Sequence, residues 1–166
     1  MSRKIMVIGS PGSGKSFFSR KLSELTGIPL YHMDNIFWRE DRTHITRPEL
    51  VEAVDSIMKT PEWIIDGNYI GTMGQRMQGA ETIIYLDIPE DVCVEGVKSR
   101  IGTKRDDLPW VEETLDEEFL KFVLDFKTDT KPKIEELLKL CEKDGKEIIG
   151  FVSREEAESF LNGCCW

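Results

Sequence analysis

Apolar residues along the chain fall either in short continuous runs or at every third and fourth position. Ile5-Met6-Val7-Ile8 is the first run and closes at Gly9; Phe18, Leu22 and Leu25 then recur at helical spacing until Gly27 and Pro29. This predicts a strand, a glycine-rich turn and a helix. Leu30-Tyr31-His32-Met33 predicts a second strand, followed by an aromatic loop through Ile36-Phe37-Trp38 and a polar connection to Thr46. Thr46 and Glu49 have capping-box spacing, and Leu50, Val51, Val54, Ile57 and Met58 mark one helical face. Past Pro61, Trp63-Ile64-Ile65-Asp66 predicts a strand ending at Gly67. Thr82 to Asp87 predicts another, and Val94, Val97 and Ile101 a helix after Pro89. The polar stretch from Gly102 to Trp110 predicts a mobile loop. Leu115, Phe119, Phe122, Val123 and Phe126 predict one further helix, and Ile134, Leu137, Leu138 and Cys141 the next. Ile148 to Val152 returns to strand, and Ser153 with Glu156 caps a last helix carrying Phe160 and Leu161.

Strands alternating with amphipathic helices indicate parallel βαβ units. The expected fold is therefore α/β: a three-layer α/β/α sandwich with a parallel five-stranded sheet, forming one domain over 1–166. The chain's 166 residues, 40% of them apolar, suffice for one core. In such sheets, ligands bind beyond the carboxyl ends of the strands. Lys and Arg number 22 against 31 Asp and Glu, a net charge of −9 that argues against direct binding of DNA or an anionic membrane. No apolar run approaches the roughly 18 residues of a membrane span, and the opening Met1-Ser2-Arg3-Lys4 leads into too short a run for a signal peptide, so a cytoplasmic location is expected. Cys93 and Cys141 read as core residues and Cys164-Cys165 as a tail pair. With His32 and His44 they lack zinc-site spacing.

The strongest chemical signal is Gly9-Ser10-Pro11-Gly12-Ser13-Gly14-Lys15-Ser16, a full GxxxxGKS between a strand and a helix. Its glycines let backbone N–H groups wrap a phosphate, Lys15 reaches the β- and γ-phosphates, and Ser16 ligates Mg²⁺. ATP and Mg²⁺ are the expected ligands, with Gly9 to Ser16 and the adjoining Phe17 as nucleotide contacts. Asp66 and Asp87 each end an apolar strand, so either could hold the metal through water. Asp34 closes the second predicted strand, where a carboxylate can bind an acceptor hydroxyl or take its proton. Phe37 and Trp38 line that acceptor pocket or pack beneath the next helix, and His32 is expected to be structural.

GSPGSGKS, YHMDNIFW, WIIDGNYIGTMGQR and AETIIYLDIP together resemble the FlaR-related DNA topology modulation proteins, a group of adenylate-kinase-like P-loop NTPases. The resemblance covers about 100 contiguous residues, and the arrangement from Asp66 to Arg76 is its most specific part. It implies a nucleotide-kinase fold with an acceptor-binding region near 34–60 and a short lid near 100–112. It favours Asp66 over Asp87 for the metal and implies that Arg76 contacts the acceptor or the transferring phosphate. Arg100, Lys104 and Arg105 are the lid cations it implies, with Arg105-Asp106-Asp107 similar to the RxDD of nucleotide-kinase lids. Gly96 stands where adenylate kinases carry an adenine-stacking arginine, and Arg154 falls where adenine would rest. Lys127, Lys131 and Lys133 replace family arginines and are expected to be solvated.

Together these features lead to an ATP-dependent kinase acting on a nucleotide, nucleoside or small hydroxyl metabolite. Asp34 tilts the acceptor towards a hydroxyl compound or nucleoside, although Arg47 and Arg76 could supply two cations for a monophosphate. The alternative is a nucleotide-dependent regulatory protein that influences DNA topology indirectly.

Overall fold

Every residue of Trp63-Ile64-Ile65-Asp66 is buried, as a strand covered on both faces of a parallel sheet requires. The chain is described here by a computed structural model covering residues 2–163; Met1 and the tail with Cys164 and Cys165 lie outside the described residues. Its elements in order are β1 (Lys4–Gly9), α1 (Lys15–Thr26), β2 (Leu30–His32), α2 (Met33–Phe37), α3 (Arg47–Met58), β3 (Trp63–Asp66), α4 (Ile70–Gly79), β4 (Thr82–Leu86), α5 (Glu90–Ser99), α6 (Glu117–Asp129), α7 (Lys131–Lys143), β5 (Glu147–Phe151) and α8 (Arg154–Gly163).

Among the described residues the five strands form one all-parallel sheet in the order β2-β3-β1-β4-β5. The chain reverses its direction of travel across the sheet at β1, which pairs with β3 on one side and β4 on the other, so a crevice opens beyond the end of β1. Alternation along β1 divides the core. Met6 and Ile8 face a layer with Leu50 and Val54 of α3, Met73 and Met77 of α4, and Ile134 and Leu138 of α7. Ile5 and Val7 face the other layer, with Phe18 and Leu22 of α1, Val97 of α5 and Leu161 of α8. Burying each large apolar side chain contributes roughly 1.5–3 kcal/mol. The three-layer α/β/α fold expected from the alternation is the one observed.

The helix boundaries follow their caps. Thr46 accepts from Glu49 N–H at 3.4 Å and Glu49 accepts from Thr46 N–H at 2.6 Å, closing the predicted capping box of α3. Asp116 caps α6 through the N–H groups of Glu118 and Phe119. At α8 the expected pair is only half formed: Ser153 accepts from Glu156 N–H, whereas the Glu156 carboxylate takes the N–H of Val152.

Two elements differ from expectation. The aromatic loop at Ile36-Phe37-Trp38 is largely helix, because α2 begins directly after β2 and its one turn buries Met33. The connection after β3 contains α4, whose Met73, Met77 and Arg76 are buried. Gly71 and Gly74 depress its helix propensity, and Tyr69 at its N-cap provides no side-chain cap, so tertiary burial decides the helix.

Candidate active site

The loop between β1 and α1 is shaped by its glycines. Gly12 and Gly14 have φ of 80° and 100°, and a Cβ on Gly12 would lie 2.0 Å from the carbonyl oxygen of Cys93. Gly96 faces the same contact: a Cβ there would fall 2.4 Å from Gly12 O and 2.5 Å from Arg154 Nη2. Gly96 thus lets α5 press against the phosphate-binding loop, and Arg154 occupies the space beside it, donating to Gly12 O at 2.6 Å. No side chain caps α1 at Gly14, so its first N–H groups and positive end are left for an anion. Lys15 Nζ donates to Ser10 O at 2.9 Å. Burial pushes the Lys15 pKa down, and the charges of Asp66 and Asp34 oppose that shift.

The segment Asp66-Gly67-Asn68-Tyr69 links this loop to the opposite wall. Asp66 Oδ1 lies 3.0 Å from His32 Nδ1. Burial opposes charge on His32, but the hydrogen bond and charge of Asp66 outweigh it and raise the imidazole pKa. Gly67 has φ of 117°, and a Cβ on it would meet that of Met33 at 2.8 Å. Asn68 grips Gly9 from both sides, accepting from its N–H at 3.2 Å and donating to its carbonyl at 2.8 Å. The Tyr69 hydroxyl donates to Asp34 Oδ1 at 2.6 Å. Burial raises the Asp34 pKa, while the Tyr69 hydrogen bond and the Lys15 charge pull it back.

Residues 100–112 lie over the phosphate-binding loop. The Ser16 hydroxyl donates to Asp107 Oδ2 at 2.6 Å. Arg105 holds Asp107 through two hydrogen bonds of 2.9 and 2.8 Å and reaches Glu112 at 2.7 Å. Burial would raise the Asp107 pKa, but the hydrogen bonds from Arg105 and Ser16 and the Arg105 charge hold it well below the usual carboxylate range. Asp106 pairs with Arg20 and accepts from Asn35 through its carbonyl. Trp110 meets Trp38 edge-on at 5.6 Å. The segment predicted as a mobile loop is thus tied through Asp106, Asp107 and Trp110 to α1, α2 and the Trp38 that follows α2.

These parts enclose a cleft of about 810 Å³ beyond the carboxyl ends of the strands. Pro11 to Phe17, Asp34, Asp66, Arg100, Lys104, Arg105 and Arg154 all line it, together with Trp38, Asn68 and Tyr69. Gly9 and Ser10 sit behind the loop, one held by Asn68 and the other by Lys15. Four polar atoms on the lining residues are buried without a hydrogen-bond partner: Ser13 Oγ, Asp66 Oδ2, Arg100 Nε and Arg154 Nε. Arg100 Nε is 3.5 Å from Glu112 Oε2, an ion pair without a hydrogen bond. Such groups are rare in a native interior unless water, an ion or a ligand completes them. The donor set fits a nucleoside triphosphate with Mg²⁺, since N–H groups and cations face one region while the Ser16 hydroxyl and the free Asp66 oxygen supply hard oxygen ligands.

Three sequence-based placements change. Arg76 does not face the cleft: it is fully buried in α4 and donates to the carbonyls of Gly67, Asn68 and Tyr69 and to Thr72 Oγ1. Nearly two turns of α4 return its guanidinium beneath the loop it follows. Asp87 lies outside the cleft lining and is paired with Lys131 at 2.6 Å, which removes it from the metal position and Lys131 from the solvated lysines. Arg47 also lies outside the lining, its guanidinium near Gly71 of α4. Sequence reasoning gave no role to Asn68 or Tyr69, although both stand in the Asp66–Arg76 pattern it singled out. Their contacts join segments 59 and 35 residues apart, a pairing invisible before folding.

No protein-family model matches the chain, and no curated protein matches it. Among solved structures it is similar to shikimate kinase from Acinetobacter baumannii in complex with shikimate, with a TM-score of 0.65 and 16% identity over 96% of this chain and 91% of that one. The shared feature is the P-loop kinase fold.

Proposed function

We propose that the chain is an ATP-dependent phosphotransferase for a small hydroxyl-bearing acceptor. The observation that carries this reading is the convergence of Lys15, Ser16, Asp34 and Asp66 on one cleft, whose unpartnered polar atoms are of the kinds a nucleotide and its metal would engage. A fold shared with a solved kinase supports it. In this reading the loop N–H groups and Lys15 hold the β- and γ-phosphates, while Arg100, Lys104 and Arg105 cover them from 100–112. Ser16 and, through water, Asp66 would hold Mg²⁺, which would supply charge neutralisation at the phosphate oxygens. Asp34 orients the acceptor hydroxyl; as its oxygen bonds to the γ-phosphorus and the bond to ADP breaks, the carboxylate receives the hydroxyl proton. Arg154, on Gly12 beside α5, borders the base.

The test is ADP release with MgATP across nucleosides, nucleotides, sugars and hydroxy acids, with Lys15→Ala as control. Stimulation that disappears in Lys15→Ala is expected. Absence of stimulation, with MgATP still bound, would overturn the phosphotransferase reading.

A second reading, a nucleotide-dependent regulatory protein, draws on the Asp107 contact with Ser16. Metal binding at Ser16 would displace Asp107 and move residues 100–112, changing the surface offered to a partner. ATP-dependent protection of this segment from proteolysis, without acceptor-stimulated turnover, would favour it; the influence on DNA topology suggested by the sequence motifs would then be indirect.

A further inference from the structure

We infer that the acceptor is an uncharged hydroxyl compound, neither a phosphate ester nor a carboxylate; this rests on the phosphotransferase reading and narrows it. The residues between 34 and 70 that line the cleft are Asp34, Trp38 and the run Asp66 to Ile70. They include two carboxylates and no cation.

None of the nearby arginines lines the cleft: Arg39 and Arg42 are exposed outside it, with Arg42 5.8 Å from the centre of the Trp110 ring. Arg76 spends its guanidinium on the carbonyls of Gly67, Asn68 and Tyr69 and on Thr72, entirely away from solvent. Arg47 lies outside the cleft against α4. The cations that do line the cleft come from the phosphate-binding loop, α1, residues 100–105 and α8. Several are already matched: Arg20 by Asp106, Arg105 by Asp107 and Glu112, and Arg100 in part by Glu112. Lys15, Lys104, Arg154 and the partly matched Arg100 remain for a triphosphate that itself brings several negative charges.

An anionic acceptor would therefore meet Asp34 and Asp66 with no cation of its own. Like charges brought together in a partly desolvated site repel, whereas a neutral hydroxyl can offset its desolvation by donating a hydrogen bond to a carboxylate there. Trp38 and Tyr69 offer aromatic surface beside Asp34, and Ile70 an aliphatic one. This wall suits an acceptor with an apolar or planar body and a hydroxyl directed at Asp34.

The experiment compares amide and carboxylate pairs that keep every hydroxyl, with gluconamide, glyceramide and mandelamide against gluconate, glycerate and mandelate, and adds adenosine against AMP for the phosphate ester. ADP release with MgATP is measured for each, and MgATP binding is followed separately by calorimetry. A neutral member is expected to be preferred over its anionic partner in kcat/KM by roughly 100-fold or more. Preference for an anionic member, or equal use of both, would overturn the charge assignment while leaving the phosphotransferase reading intact. No stimulation by any member, with MgATP bound normally, would overturn both.

Discussion

Asp34 is a carboxylate with a contested proton. Burial raises its pKa, whereas the Tyr69 hydroxyl and the Lys15 charge lower it. Removing the hydroxyl removes one of the opposing effects, so Tyr69→Phe is expected to move the acid limb of acceptor-stimulated kcat/KM to higher pH, by up to roughly one unit. A pH–rate profile that keeps its acid limb in this variant would remove Asp34 as the titrating group. His32 titrates in the opposite context. Its pKa is raised because Asp66 outweighs burial. A histidine with a folded-state value above its unfolded value of about 6.5 contributes stability that is full below the unfolded value. That contribution fades as pH rises through the raised folded value. His32→Gln is therefore expected to flatten the dependence of unfolding free energy on pH across that window, as urea titrations at successive pH values would show. An unchanged slope would mean that His32 binds its proton equally in the folded and unfolded states, so that Asp66 does not raise its pKa.

At the scale of elements, the loop between β3 and α4 acts as a bracket. Asn68 fixes its near end to Gly9, Tyr69 fixes its far end to Asp34, and Arg76 ties the backbone between them from below. Burial pushes the Arg76 pKa down to about 9, which still leaves the guanidinium charged at neutral pH. Arg76→Ala strips donors from a row of carbonyls and opens a void under the loop. The expected loss is about 3 kcal/mol or more of unfolding free energy, read as a lower urea midpoint. Arg76→Lys should recover only a part, because one ammonium cannot span the carbonyls that the planar fork reaches. A variant as stable as the parent would show that the bracket holds without its arginine. The pattern from Asp66 to Arg76 was legible in the sequence, but its use was not. A position ten residues beyond a strand reads as a connection over the cleft until α4 winds Arg76 back beneath Gly67. The glycines that hide α4 also hide that return.

For the molecule as a whole, the nucleotide should act as a structural tie, because the cleft is assembled from both sides of β1 and from residues 100–112. MgADP at about 100 times its Kd is expected to raise the unfolding free energy by about 2.7 kcal/mol, with most of that lost on adding EDTA and all of it in Lys15→Ala. Equal stabilisation with and without the metal would argue against Ser16 and Asp66 as its holders. The net charge of −9 adds long-range repulsion against other anions, including DNA, so charge on the acceptor is resisted at both local and global scale. The five strands, the helices other than α2 and α4, the glycine-rich loop after β1 and the sheet end where the cleft opens were all determined by the sequence alone. Hydrophobic period, glycine placement and capping act within a few residues of one another. Only tertiary structure decided that Asp87 belongs to Lys131, that Gly96 is a point of contact with Gly12, and that Arg76 serves the interior. Each of these depends on which distant segment supplies the partner, and a side chain's type and spacing carry no record of that until the core brings the two together.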